Sequence, residues 1–586
     1  MTHDNTSAVR DRFVRLGARR VVEPSRCVVV LDHDVQNRSE ENLAKYREIE
    51  AFARAQGMRF YPAGSGIGHQ VMLERLHVLP GDLAVAADSH ANTYGALGAL
   101  GTPIARSDAA GVWAAGEFWW EMPEVVRVVF EGRLPPGATG KDVALALCAL
   151  HPDDVFQRAV EFDGPGIATL PMDDRITIAN MTTEWGAVAG VFPVDGTTLA
   201  WMRAHGGRGE DPSPACTSGV VATITLDLDA IEPRVSGPDT LARAVPVREI
   251  AAEAVRIDKA YLVSCANGRL ADLEEAARVL RGGCVAPHVE LYVAAASAAV
   301  QREAEASGAW QALLDAGAIP LPSGCGPCIG LGAGLLAPGE IGISASNRNF
   351  KGRMGSKDAR CYLASPAVVA ASARAGVITG PSSSISRPAL SPRIERHSPA
   401  EALREERAAA PSLPRIEGRL VVVLVDAIDT DALCPKELVY RDRAEREALV
   451  AGVLATIAPG LAATFRRGDV LVAGARFGIG SSREQAAGAL IAIGIGAVVA
   501  ESVSSVFRRN ALNNGLAVIE SPALVAMLRE SGPGPIAVTE ETIALDLDRA
   551  RIEARGRSIP MRPLQAVARA LLAAGGLDGF LRERIP

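Results

Sequence analysis

The stretch SGCGPCIGLGAG (323–334) sets two cysteines, Cys325 and Cys328, on either side of Gly-Pro. Two chemistries use that spacing: a thioredoxin-type redox pair, and a metal or iron–sulfur centre. A redox pair belongs early in a small domain, after its first long strand. Cys325 lies deep in the chain, behind Pro-Ser-Gly and ahead of a glycine-rich run. The strand-like run AIPLPS (318–323) ends at this motif, and four other apolar runs end in a similar way. CVVVL (27–31) leads into Asp32 and His33, and DLAVAA (82–87) into Asp88, Ser89 and His90. AYLVS (260–264) leads into Cys265, and DVLVAGA (469–475) into RFGIGSSRE (476–484). In open α/β sheets, ligands bind beyond the carboxyl ends of strands. Five strand ends carrying carboxylates, imidazoles, thiols or serines predict one site in an α/β fold, assembled from distant segments.

Three thiols, Cys265, Cys325 and Cys328, fit a [4Fe–4S] cluster with one iron not bound by protein; a fully ligated cluster takes four. Structural zinc also prefers four ligands. Cys265 alone reads as a buried core thiol, but the cluster accounts for the set. An iron with an open position is a Lewis acid that binds hydroxyl and carboxylate oxygens and helps to expel water.

The 586 residues make room for about four domains. Net charge is −7 and no basic block stands out, which argues against nucleic acid or an anionic membrane as partner. No apolar run spans a bilayer, and MTHDNTSAVRDRF (1–13) lacks a signal-peptide core. Nine cysteines without an export signal read as reduced thiols in a cytoplasm. SEENLAKYREIEAFARAQG (39–57) has helical spacing, and 379–414 reads as a Ser- and Pro-rich linker. A second α/β unit starts at RIEGRLVVVLVD (415–426) and runs to the end.

Seven segments then follow one order: LDHDVQN (31–37), AADSHANTYGALGALG (86–101), EFDGPGIATLPMDDRITIANMTTEWGA (161–187), LVSCANGR (262–269), SGCGPCIGLGAG (323–334), SNRNFKGRMGS (346–356) and RFGIGSSREQA (476–486). In these the chain resembles the aconitase and isopropylmalate dehydratase family of hydro-lyases. The resemblance implies three α/β/α domains, 1–122, 123–240 and 241–378, around an iron–sulfur cluster. A linker, 379–414, and a mobile C-terminal swivel α/β domain, 415–586, complete it. MTHDNTS resembles the family's HDxTS element, Ile479 stands where many members carry cysteine, and Ala266 where threonine is usual.

By this resemblance Cys265, Cys325 and Cys328 hold the cluster, and Asn347, Arg348 and Arg353 bind substrate carboxylates, which guanidinium forks suit. Ser89 joins the substrate contacts. Ser481 to Glu484 read as a capping box at a helix start that favours anions. The resemblance makes Ser481 the base that removes a proton next to a carboxylate, with Ser482 assisting and Arg483 gripping a carboxylate. Asp32, His33, Asp88, His90 and Glu184 supply the acid side, since hydroxide leaves carbon only with a proton delivered.

The expected reaction interconverts 2-hydroxy and 3-hydroxy di- or tricarboxylates by dehydration and rehydration. By the same resemblance the loop AIDTDALCPKELVYRD (427–442) faces the substrate's third substituent, and its apolar Leu438 and Val439 favour 3-isopropylmalate over citrate or homocitrate, with an aconitate or homoaconitate hydratase as the alternative. A redox protein built on Cys325 and Cys328 leaves Cys265 and the serine–arginine loop unexplained. An RNA-binding module gains no support from the charge. The expected partner is a small di- or tricarboxylate.

Overall fold

Ser39 accepts the N–H of Asn42 and starts the helix Glu40–Gln56, and Gly57, at φ 78°, ends it, as the spacing over 39–57 predicts. The computed structural model describes residues 1–208, 219–381, 390–397, 411–434, 446–480, 484–582 and 584–585. All five apolar runs form strands: Val28–Val30, Leu83–Ala86, Lys259–Leu262, Ile319–Pro320 and Asp469–Ala473. Each pairs in parallel with a neighbour. Strands covered on both faces need no polar alternation, which is why the runs read as continuous apolar stretches.

The chain divides into two compact units. The first comprises Met1–Ser7, Pro24–Pro103 and Pro123–Ala402. Among its described residues lie a five-stranded sheet, a seven-stranded sheet and two parallel strand pairs. The larger sheet runs Ala244–Pro246, Arg234–Ser236, Arg360–Ala364, Ile341–Ser344, Lys259–Leu262, Glu290–Val293, Ile319–Pro320. Its last five strands are parallel, so the ends bearing Cys265, the 323–328 turn and Asn347 share one edge.

The second unit comprises Ala8–Glu23, Ile104–Met122 and Leu403–Pro586. Its seven-stranded sheet centres on Asp469–Ala473 and Ile416–Val423. Leu420 and Val422 face one core, Val421 and Val423 the other. This is the expected C-terminal α/β unit, with two additions. Segments 8–23 and 104–122, assigned by the sequence to the first domain, pack here. Phe13 meets Trp113 edge-on, and Arg509 pairs with buried Asp108 while its guanidinium lies 4.1 Å from the Trp119 ring centroid. The strand Arg393–Arg396 is a further departure. It falls inside the predicted linker, yet pairs antiparallel with Val220–Asp227 at the edge of the five-stranded sheet. A short, charged edge strand has the composition of a linker, and so escapes a pattern search.

Candidate active site

The loop after Val28–Val30 is held by the first residues of the chain. The Asp4 carboxylate accepts the backbone N–H groups of Asp32 (3.0 Å), His33 (2.9 Å) and Asp34 (3.3 Å), and the Tyr46 hydroxyl. Asp32, fully buried, meets Nδ1 of His3 at 2.9 Å and Nδ1 of His33 at 2.6 Å, and accepts Gly68 N–H at 2.6 Å. A Cβ on Gly68 would stand 2.6 Å from Met1 Sδ, 3.1 Å from His3 Cε1 and 3.2 Å from Asp32 Oδ2, so glycine lets this loop close on the pair without displacing them. Burial pushes the Asp32 carboxyl up, but His3 and His33 together hold it far below the carboxylate range. Burial lowers His33 in turn, and Asp32, then Asp4 and Asp88, carry it up to about 9.

Asp88, beyond Leu83–Ala86, joins this pair to a second array. Its Oδ1 lies 2.7 Å from His69 Nε2 and accepts His90 N–H at 2.9 Å. Its Oδ2 stands 3.7 Å from His33 Nε2 and 3.9 Å from His3 Nε2. His90 Nε2 meets Glu184 Oε1 at 2.9 Å, and Glu184 pairs with Arg348 Nε at 2.6 Å. Burial raises Glu184, and Arg348 and then His90 outweigh it, bringing the carboxyl down to about 2. Ser89 is buried, its carbonyl accepting Thr183 Oγ1–H at 2.8 Å.

The thiols lie in the same unit. Cys265 Sγ accepts amide N–H from Asn180 at 3.2 Å and from Asn347 at 3.3 Å. Asn347 Oδ1 stands 3.5 Å from Cys328 Sγ, and its amide also reaches Asn180 Oδ1 at 2.8 Å. Arg353 lies against Cys328. Cys325 N–H donates to the Asp32 carbonyl at 2.7 Å, tying the cysteine turn to the imidazole loop. Ser264, just before Cys265, holds φ 98°, a strained value of the kind that clusters at functional sites. Burial pushes all three thiols up, Cys265 to about 12, and each is raised further by a neighbouring cysteine of the set except Cys328, which arginines pull down. A redox pair needs a stabilised thiolate. Asn347 contacts Cys265 and Cys328 Sγ at 3.3 and 3.5 Å, and Cys328 N–H donates to the Cys325 carbonyl at 3.1 Å, so the three thiols come from adjoining turns, a donor chemistry that suits an iron–sulfur centre.

Four of the five predicted strand ends thus contribute to the first unit's array. The fifth lies in the second unit, and Ser481, Ser482 and Arg483 are outside the described residues, as is 437–440. Of the expected capping box, Glu484 alone lies among the described residues. Glu484 accepts Asn514 Nδ2–H at 3.0 Å and Ser107 N–H at 3.3 Å, and the helix is assigned from Gln485. Both oxygens are drawn to the 104–122 segment and to Asn514.

His3, His69 and Asn180 were missed as site residues. His3 sits in the HDxTS-like element, and Asn180 precedes Glu184 by one helical turn, so each carried a signal. A lone histidine in GIGHQ (66–70) carried little.

The model of the aconitase family (aconitate hydratase) matches residues 2–376, and that of the aconitase C-terminal domain residues 437–524. A mitochondrial homoaconitase of Eremothecium gossypii is 47% identical over 630 residues, covering 100% of this chain and 92% of the relative. One from Yarrowia lipolytica is 45% identical over 632 residues with the same coverage. A solved 3-isopropylmalate dehydratase of Methanocaldococcus jannaschii is 34% identical, covering 29% of this chain and 95% of that one, with a TM-score of 0.25. No helix among the described residues is long and apolar enough to cross a membrane. The cytoplasmic expectation is overturned, because these homoaconitases and six further ones are all named mitochondrial. Its premises were too narrow: lacking a secretory core says nothing of an amphipathic transit segment, and reduced thiols do not single out the cytoplasm. With its family's model matched over most of its length and curated members aligned along all of it, this chain belongs to the aconitase family and is a hydro-lyase of the aconitase type.

Proposed function

We propose that the enzyme removes water from a hydroxy-tricarboxylate to give the enoate homoaconitate and adds it back, so interconverting the 2-hydroxy and 3-hydroxy acids. The dipeptide Asn347-Arg348 carries the reaction class. Asn347 touches the thiols of Cys265 and Cys328, while Arg348 pairs with Glu184, so one turn links the thiol set to the acid–base array. The substrate rests on relatives named homoaconitases, 43–47% identical along the whole chain.

On this reading Cys265, Cys325 and Cys328 hold a [4Fe–4S] cluster with one iron free of protein ligands, which supplies a Lewis acid for the substrate's hydroxyl and carboxylate. The first unit carries the three α/β/α domains around it. His90, oriented by Asp88 and backed by Glu184, delivers and recovers the proton that accompanies the hydroxyl. Asp32 holds His3 and His33 by Nδ1 and turns their Nε2 atoms toward Asp88. Arg348, Arg353, Ser89 and Arg483 bind carboxylates, and Ser481, assisted by Ser482, takes the carbon-bound proton.

The 3-isopropylmalate preference is not carried forward. It rested on Leu438 and Val439, outside the described residues, and the long-range relatives point to a substrate with a third carboxylate. Such a group needs a cation, and Arg441, two residues beyond Val439, supplies one in the sequence. The test is kcat/KM for homoaconitate, cis-aconitate and 3-isopropylmalate with anaerobically reconstituted enzyme. Homoaconitate is expected to lead. A clear lead for either of the others overturns the substrate and leaves the reaction class standing.

A further inference from the structure

Lys141 is the second residue of the helix Gly140–Leu150, and its side chain is wholly buried. Both facts argue against a lysine. An ammonium at a helix N-terminus faces the positive end of the macrodipole, and lysine is almost never fully buried unless paired. Asp142, the next residue, is not its partner. That carboxylate accepts the N–H groups of Thr139 at 2.9 Å and Arg234 at 2.8 Å. The ammonium donates instead to the carbonyl oxygens of Ala345, at 3.2 Å, and Ser346, and lies 3.9 Å from Met181 Sδ.

Those carbonyls immediately precede Asn347 and Arg348, the turn that touches two thiols and Glu184. Two carbonyls need only two neutral N–H donors. A full charge in a dry interior costs several kcal/mol unless an anion answers it, and a residue that breaks local rules this way marks function more often than packing. Burial draws the ammonium down to about 8, and Cys328 leads the anions that oppose this, ahead of Asp272, Asp142 and Glu184. No carboxylate forms an ion pair with Lys141 among the described residues, and the carbonyls it grips lead straight into Asn347, whose amide reaches Cys265 Sγ at 3.3 Å and whose Oδ1 stands 3.5 Å from Cys328 Sγ.

We propose that Lys141 is a positioning residue of the active site, whose buried charge fixes the 345–348 turn and balances the negative charge gathered at Cys265, Cys325 and Cys328 when they hold an iron–sulfur centre. This rests on the cluster reading above. Three thiolates leave such a centre anionic, and a fixed cation nearby favours its reduced form and retention of its iron.

The test uses the full chain, reconstituted anaerobically, as wild type, Lys141→Met and Lys141→Gln. Methionine keeps the stem and removes charge and donors, whereas glutamine keeps two donors and removes the charge. Iron content, the cluster's midpoint potential, kcat and KM are measured, with thermal unfolding of the cluster-free chain alongside. Both variants are expected to shift the potential to more negative values and to lose iron faster in air. In Lys141→Met, kcat is expected to fall about 10–100-fold, with KM changing less, and glutamine should recover part of that loss. Wild-type potential and iron retention in the variants that fold would overturn the assignment, whatever happens to their stability. A wild type that takes up no iron overturns the cluster reading itself, and this proposal with it.

Discussion

Glu184 shows how a single residue can be read from its neighbours. It ends the helix Met172–Trp185 with its carboxylate buried between His90 and Arg348. Arg348 pays for the burial of this charge, and the carboxylate holds His90 Nε2 at 2.9 Å, fixing the imidazole for proton transfer. Glu184→Gln keeps the shape and a hydrogen-bonding oxygen but not the charge. We expect kcat to fall about 10²–10⁴-fold, with iron content unchanged. A variant with near wild-type turnover would make the His90–Glu184–Arg348 chain structural only. Residue-scale legibility was uneven for a physical reason. Asp32, His33, Asp88, His90 and Cys265 follow strands, where sequence pattern points to a site. His69 opens the short helix Gly68–Glu74, and its role appears only where Asp88 Oδ1 meets its Nε2.

At the scale of elements, three helix starts gather carboxylates beneath the site. Asp142, Asp174 and Asp272 sit in the first turns of Gly140–Leu150, Met172–Trp185 and Leu270–Leu280, with Glu275 nearby. Each accepts or borders helix-start N–H groups, Asp174 taking Gly140 N–H at 2.6 Å. Burial nonetheless dominates, raising Asp142 to about 6 and Asp174 and Glu275 to about 7. A folded-state pKa raised above the unfolded one contributes stability that is present below the unfolded value and lost as pH climbs through the folded value. For Asp174 that window runs from about 4 to about 7. Asp174→Asn should therefore gain roughly 1 kcal/mol or more over wild type at pH 8 and little at pH 4. Thermal unfolding at the two pH values decides it; an equal difference at both would mean that Asp174 is not a buried acid. The elements themselves were legible as apolar runs. The strand Arg393–Arg396 was not, because its partner Val220–Asp227 lies some 170 residues away and supplies the context its own composition lacks.

At the scale of the molecule, the order of motifs was enough for the family and for an α/β chain ending in a separate α/β unit. What stayed hidden was discontinuity. Segments 8–23 and 104–122 belong to the second unit because Trp113, Trp119 and Asp108 find their partners there, near Phe13 and Arg509. No local pattern announces a partner 400 residues on. The substrate was hidden for a different reason, since an apolar Leu438-Val439 pair and a neighbouring Arg441 favour different substituents and the sequence alone does not rank them. The central claim is that three distant cysteines act as one donor set. Iron and sulfide analysis of anaerobically purified chain, wild type against Cys265→Ser, tests it most directly. Wild type should carry a cluster of the four-iron type, and the variant should lose most of its iron and all of its hydratase activity, because a three-thiolate set has no spare ligand. Full iron content in Cys265→Ser would contradict the account.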